Sequence, residues 1–190
     1  MNAQQMVEAL KQKFGEAVIG TKDHLGEHTI SVKLESLKQL LKYCRDEMSF
    51  DYLVDISSVD HFETEPRFEM VYELYGYGHH QHLRVKSPVS EDASVPTVSD
   101  IWPTANWHER EVYDMMGITF DGHPDLRRIL MWEGYPFYPL RKDFPLAGKP
   151  SEMPDVAFTG IAPLEGGPFV TSSGTCGTVE AEPRAKRFEQ

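Results

Sequence analysis

The stretch RFEMVYELYGY, residues 67–77, alternates apolar and polar side chains with a period of two. Phe68, Met70, Tyr72 and Leu74 project to one face, as a half-buried strand requires. Two further apolar runs flank it. YLVDISSV (52–59) precedes it across the loop-like HFETEP, and HQHLRVKSPV (80–89) follows across GYGH, with less clean alternation. Three strands in succession, joined by short polar links, indicate a largely antiparallel sheet.

Toward the N-terminus the period changes. HTISVKL alternates again, with Ile30, Val32 and Leu34 opposite Thr29, Ser31 and Lys33. Leu34, Leu37, Leu40, Leu41, Cys44 and Met48 then fall on one helical stripe, while Lys38, Lys42 and Arg45 fall outside it. Cys44 on that stripe reads as a small core residue. A first helix over residues 3–14 carries Met6, Val7, Leu10 and Phe14 on one side, and Gly15 is its stop. The order helix–strand–helix–strand–strand–strand predicts an α+β fold, a mostly antiparallel sheet with helices packed on one face.

The totals narrow the function. The chain has 190 residues, is 40% hydrophobic and carries a formal charge of −11. A net negative surface argues against a nucleic-acid backbone and against an anionic membrane surface as direct partner. No run approaches the ~18–20 apolar residues of a membrane span. The opening MNAQQMVEALKQKFGEAV lacks a signal peptide's apolar core, so a mature cytoplasmic protein is expected. Cys44 and Cys176 cannot supply the four thiolates of a usual iron–sulfur cluster. No GxGxxG or P-loop pattern is present to cradle a nucleotide.

HEREVYDMMGITFDGHPDLRRIL, residues 108–130, holds five acids, three arginines and two histidines. SEDASVPTVSD, before it, reads as a loop. Asn106 and Glu109 have the spacing of a capping box, and Gly117 closes the helix they open. Arg110 and Asp114, four apart, are expected to pair on one face. FDGHP reads as a turn, with Pro124 suited to a helix's first position. Residues 127–131 read as extended or irregular. A metal site would draw on His108, Glu109, Glu111, His123 and Asp125, but the spacing is not H-E-x-x-H. His79, His80 and His82 form a second cluster, with His80 and His82 on one strand face and no third ligand in view. Acid–base catalysis would need a carboxylate of raised pKa, whereas the alternating arginines favour neutralised pairs. An interface is the leading reading. Arg110, Arg127, Arg128 and Arg141 suit bidentate contact with a partner's carboxylates or with backbone carbonyls, and arginine, methionine and aromatics are enriched at protein contacts. PLRKDFP (139–145) would extend it as a stiff presenter. An internal ion-pair network is the plain alternative.

From about residue 147 the composition turns to Pro, Gly, Ser and Thr without periodicity. This predicts residues 1–146 as one domain, including the charged segment 106–145, and 147–190 as an extended tail. Single apolar residues (Phe158, Ile161, Leu164, Phe169, Val170, Phe188) suit a tail that orders along a partner; simple disorder is equally open.

EREVYDMMGITFDGHPDLRRIL followed by YPLRKDFP resembles the signature of the C-type subunits of NADH-quinone oxidoreductase, the respiratory complex I of bacteria and mitochondria. The resemblance covers about a quarter of the chain strongly, and the N-terminal pattern is compatible over most of the rest. It implies a peripheral-arm subunit on the cytoplasmic side of the inner membrane, binding no cofactor and catalysing nothing alone. NADH, FMN, Fe–S clusters and quinone would be held by other subunits. It implies docking on the D-type subunit that helps form the quinone pocket, with the B-type and I-type subunits nearby, and membrane association only through the complex. Glu109, Arg110, Glu111, Tyr113, Asp114, His123, Asp125, Arg127 and Arg128 would build the junction with the D-type subunit or brace the segment that does. Pro139, Leu140, Arg141, Lys142 and Asp143 would extend it. Arg128→Ala is then expected to hurt assembly more than isolated folding. The related scaffold subunit of membrane-bound hydrogenase complexes is the alternative, and a free metal-dependent hydrolase a more distant one.

Overall fold

The apolar side of the alternating run is buried along its whole length: Phe68, Met70, Tyr72 and Leu74 are at most 1% exposed. In this computed structural model, which describes residues 3–145, the elements are α1 (Ala3–Phe14), β1 (Val18–His24), β2 (Glu27–Val32), α2 (Leu34–Asp46), β3 (Tyr52–Asp60), β4 (Phe68–Gly76), β5 (Gln81–Val89), β6 (Val95–Pro96), α3 (Ala105–Met116) and β7 (Phe120–Asp121). Met1–Lys142 form one compact unit, and a second begins at Asp143. The tail over 147–190 and its apolar anchors lie outside the described residues.

Five strands form one sheet in the order β1-β2-β5-β4-β3. Every neighbouring pair is antiparallel except β2 and β5, which run parallel. Register aligns the apolar positions into rows. Ile30 faces Val85, Val85 faces Tyr72, and Tyr72 faces Ile56. That row lies in the core with Met6, Val7 and Leu10 of α1 and Leu37, Leu40, Leu41 and Cys44 of α2. The adjacent row, through Thr29, Arg84 and Glu73, takes the opposite face. There Arg84 pairs with Glu73 and Glu27, and Lys86 with Glu69 at 2.6 Å. One apolar and one charged face is the ordinary division of an antiparallel sheet.

The helical stripe on α2 is buried at Leu37, Leu40, Leu41 and Cys44, with Leu34 packed half-buried against the same core. The helix stops at Asp46, and Met48 stays buried in the turn beyond. Truncating one such buried leucine to Ala typically costs about 2–5 kcal/mol. Burial pushes the Cys44 thiol pKa up, as an inert core cysteine requires.

Two elements differ from the sequence expectation. The sequence does not announce β1, because VIGTKDH lies at the sheet edge with six of its seven residues exposed and so has no buried face to impose alternation. Its one signal is the turn: Leu25 and Gly26 have φ of 51° and 86°, the positive values a two-residue hairpin connection demands. The loop over 90–104 contains β6, which pairs in parallel with β7 through Val95–Phe120 and Pro96–Asp121. This short bridge ties the approach of α3 to its exit.

Candidate functional site

Helix α3 and the irregular chain after it bring the charged residues together. The helix begins without a capping box: no side chain caps it. Instead the carbonyls of Trp102, Pro103 and Thr104 take the N–H groups of Ala105, Asn106 and Trp107 in tight turns. Glu109 is thereby released for another task. Fully buried, it accepts from Thr97 Oγ1 (2.6 Å) and from the Val98 N–H (2.7 Å), anchoring the incoming loop to the helix. Burial raises its pKa to about 7, against the lowering effect of those two bonds. His123 stands 3.8 Å from the Glu109 carboxylate. Its Nδ1 accepts the Asp125 N–H (3.0 Å), so the hydrogen sits on Nε2 and is donated to the Asn106 carbonyl (3.2 Å).

The expected Arg110–Asp114 pair does not form. Asp114, fully buried, binds Arg128 through Oδ1 at 2.6 Å. Its Oδ2 accepts three consecutive backbone N–H groups, from Ile129 (3.0 Å), Leu130 (2.6 Å) and Met131 (2.8 Å). Burial alone would raise the Asp114 pKa. The Met131 N–H, the Arg128 guanidinium and the Leu130 and Ile129 N–H groups together outweigh it and hold the pKa below the usual value. Arg128 also donates to the Phe137 carbonyl (3.3 Å) and lies against the rings of Tyr135 and Tyr138. Arg110 turns to the returning chain instead, donating to the carbonyls of Arg127 (3.1 Å) and Arg128 (3.3 Å) and stacking on the exposed Trp107. Pro124 starts no helix; residues 124–142 are turns and irregular chain held by these side chains. Arg128 therefore first serves the chain's own fold.

A second clasp closes the segment. Arg141 donates to the Met116 carbonyl (2.6 Å) and to Glu91 (2.8 Å), and stacks on Tyr138 and Phe68. The Leu140 N–H meets the Met115 carbonyl (3.1 Å), and the Lys142 N–H meets Asp60 (2.8 Å). Arg67 grips Asp60 bidentately at 3.0 Å and reaches Glu91 at 3.1 Å. That guanidinium holds the Asp60 carboxyl well below the usual range, against burial. The expected stiff presenter instead bends: the Arg141 N–H bonds the Tyr138 carbonyl. Asp60, Arg67, Glu91 and Thr97 have no motif in sequence. Each acts across a separation only the fold closes.

Gly117 ends α3 at φ +74°, and a Cβ there would lie 2.6–2.7 Å from Tyr138 and the Arg141 guanidinium. Glycine is needed twice over, for the left-handed turn and for the close approach.

The charged residues thus divide. Glu109, Arg110 and Asp114 are buried; Tyr113, His123, Arg128, Pro139 and Arg141 are half-buried; Glu111, Asp125, Arg127, Leu140, Lys142 and Asp143 are exposed. Arg127 pairs with Asp125 at the surface. Among the described residues no group of three His, Cys, Asp or Glu is placed to hold a metal ion. His80 lies in the turn before β5 at φ 54°, off the strand face that the sequence pattern would have it share with His82. His79, His80 and His82 meet separate partners: the Met48 carbonyl, Tyr75 and Glu73. No helix among the described residues is long and apolar enough to cross a membrane.

The family described as "Respiratory-chain NADH dehydrogenase, 30 Kd subunit" matches residues 30–150, from β2 through the second clasp. The C-type NADH-quinone oxidoreductase subunit of Geotalea uraniireducens is 42% identical over 144 residues, 75% of this chain and 88% of that protein. A longer NADH-quinone oxidoreductase polypeptide of Aquifex aeolicus, designated C/D 2, is 45% identical over 153 residues, 79% of this chain but 25% of that protein. Among solved structures, a component of the membrane-bound sulfane sulfur reductase, an archaeal respiratory membrane complex, is similar with a TM-score of 0.64 and 27% identity, over 75% of this chain and 85% of that one.

Proposed function

The chain belongs to the family of the 30 Kd subunit of respiratory-chain NADH dehydrogenase, and from that premise we propose that it is a non-catalytic peripheral-arm subunit of a proton-translocating NADH:quinone oxidoreductase, seated against the D-type subunit of the quinone site. NADH, FMN, Fe–S clusters and quinone belong to the other subunits, with the B-type and I-type subunits nearby. The chain reaches the cytoplasmic face of the membrane only through the complex. One observation carries this reading: in the Aquifex aeolicus relative a region like this chain is part of a single longer polypeptide designated C/D, and fusion keeps two partners adjacent.

The charged segment, a clamp of side chains that holds α3 to the irregular chain after it, fits that role. Its inner members, Glu109, Asp114 and Arg128, fix an irregular backbone that no regular element would hold. Its exposed members, Asp125, Arg127, Leu140 and Lys142, are what that backbone presents, and Glu111 is exposed on α3. Affinity purification of the tagged chain from gently solubilised native membranes tests the reading. The D-type subunit and NADH:quinone reductase activity are expected to travel with it, while the isolated chain oxidises no NADH. Recovery of the chain alone would refute the reading. The similarity to a component of a sulfane sulfur reductase supports a second one, a scaffold in a related, hydrogenase-type membrane complex. A nickel–iron partner in the same purification would select it. The higher identity to the C-type relative, 42% against 27%, favours the first.

A further inference from the structure

Arg110 is only 8% exposed, yet no carboxylate lies within ion-pair distance of it among the described residues. The other arginines of the segment are neutralised, Arg128 by Asp114 and Arg127 by Asp125. Of the five N–H groups of the Arg110 guanidinium, two are engaged by the carbonyls of Arg127 and Arg128. The other three have no acceptor among the described residues. None of its nitrogens is among the buried polar atoms without a partner; the unengaged side gives onto the open pocket, where a counter-ion would add to what the carbonyl oxygens give.

This guanidinium lines an open pocket of about 290 Å³ together with Arg127, Arg128, Ile129 and Glu133. The volume falls just below the range for small-molecule sites, roughly 300–1,000 Å³, and suits a single side chain. Glu133 contributes to the lining without pairing with Arg110. Beside it, Trp107 stacks on Arg110 and leaves 61% of itself exposed. Arginine with tryptophan beside a pocket that a partner can close is the composition of an interface anchor.

We propose that this pocket receives a carboxylate side chain from the subunit on which the clamp docks, and that the Arg110 fork is its principal partner. The inference rests on the docking reading above and adds the chemistry of the contact: an aspartate or glutamate on the partner's surface, entering beside Trp107 and completing the unspent side of Arg110. The planar fork suits a carboxylate held bidentately. A chain of net charge −11 that concentrates an unpaired cation here creates local complementarity to an acidic partner.

The test uses the tagged full-length chain in its native complex. Arg110→Gln is expected to reduce the partner subunits retained on purification at least tenfold, while the melting temperature of the isolated full chain falls by no more than a few degrees. Arg110→Lys, which keeps the charge but loses the fork, should recover part of the retention. Independently of folding in those variants, Trp107→p-benzoylphenylalanine should photo-cross-link to a partner peptide that contains Asp or Glu. Wild-type retention by Arg110→Gln overturns the proposal, as does an adduct on residues 146–190 of the same chain. So does a cross-link to a partner segment without acids. If the unmutated chain retains no partner, the docking reading itself has failed; if it does and Arg110→Gln matches it, only this contact has.

Discussion

Two buried carboxylates in one helix take opposite protonation habits, and the difference lies in their donors. Asp114 meets three N–H groups and a guanidinium; Glu109 meets one hydroxyl and one N–H. Asp114 is held below its ordinary pKa, so its contribution is present above the unfolded value and is lost as pH falls. Glu109 is held at about 7 against an ordinary 4.5. Its contribution is full below 4.5 and is lost as pH rises through 7. Urea denaturation across pH should show both. Glu109→Gln is expected to remove a stability slope between pH 4.5 and 7 of up to about 1.4 kcal/mol per pH unit, and an unchanged slope would contradict the buried, proton-retaining Glu109. Asp114→Asn offers an amide that cannot serve both Arg128 and the backbone donors. It should cost about 3–5 kcal/mol, the usual penalty for breaking a buried pair, and flatten the acid limb. At this scale the sequence announced the residue types but not their partners. The capping-box spacing of Asn106 and Glu109 and the i,i+4 spacing of Arg110 and Asp114 are local options, and the fold supplied better ones: a loop needing acceptors at Val98, and a returning chain needing them at residues 129–131.

At the scale of elements, α3 depends on how it ends. Gly117 lets Tyr138 and Arg141 pack where a Cβ would stand. Gly117→Ala is expected to lose roughly 1–2 kcal/mol from the left-handed conformation alone, and more because the ring and guanidinium must move. A thermal melt unchanged within about a degree would refute that packing. The amphipathic stripe of α2 and the alternation of β4 were legible because each buries one face, and burial imposes its period on the sequence. β1 was not, because an edge strand exposed on both faces leaves no period to read. The segment over 123–142 was legible only in part: residues 127–131 read as extended or irregular, while the helix start at Pro124 and the stiff presenter over 139–145 did not form, since side chains and not backbone ladders hold this chain.

Across the whole unit of Met1–Lys142, one clasp joins distant parts of the chain. Asp60 at the end of β3 takes Arg67 and the Lys142 N–H, while Glu91 takes Arg67 and Arg141. Arg67→Ala strands the nearly buried Asp60 carboxylate and should cost about 3–5 kcal/mol. Hydrogen exchange should then lose protection at Lys142 and Leu140 first, ahead of the core of β4. If those amides exchange no faster than in the parent, the clasp does not hold the segment. The sequence by itself determined the α+β class, the core stripes, the scarcity of cluster-forming cysteines and a charged signature specific enough to indicate a family. Those are properties of local period, composition and fixed spacing, which the chain carries before it folds. Only the tertiary structure decided which charges are spent inside and which are left exposed. A buried charge takes the nearest well-aligned donors the folded backbone offers, and in this molecule those come from the loop and the returning chain on either side of α3.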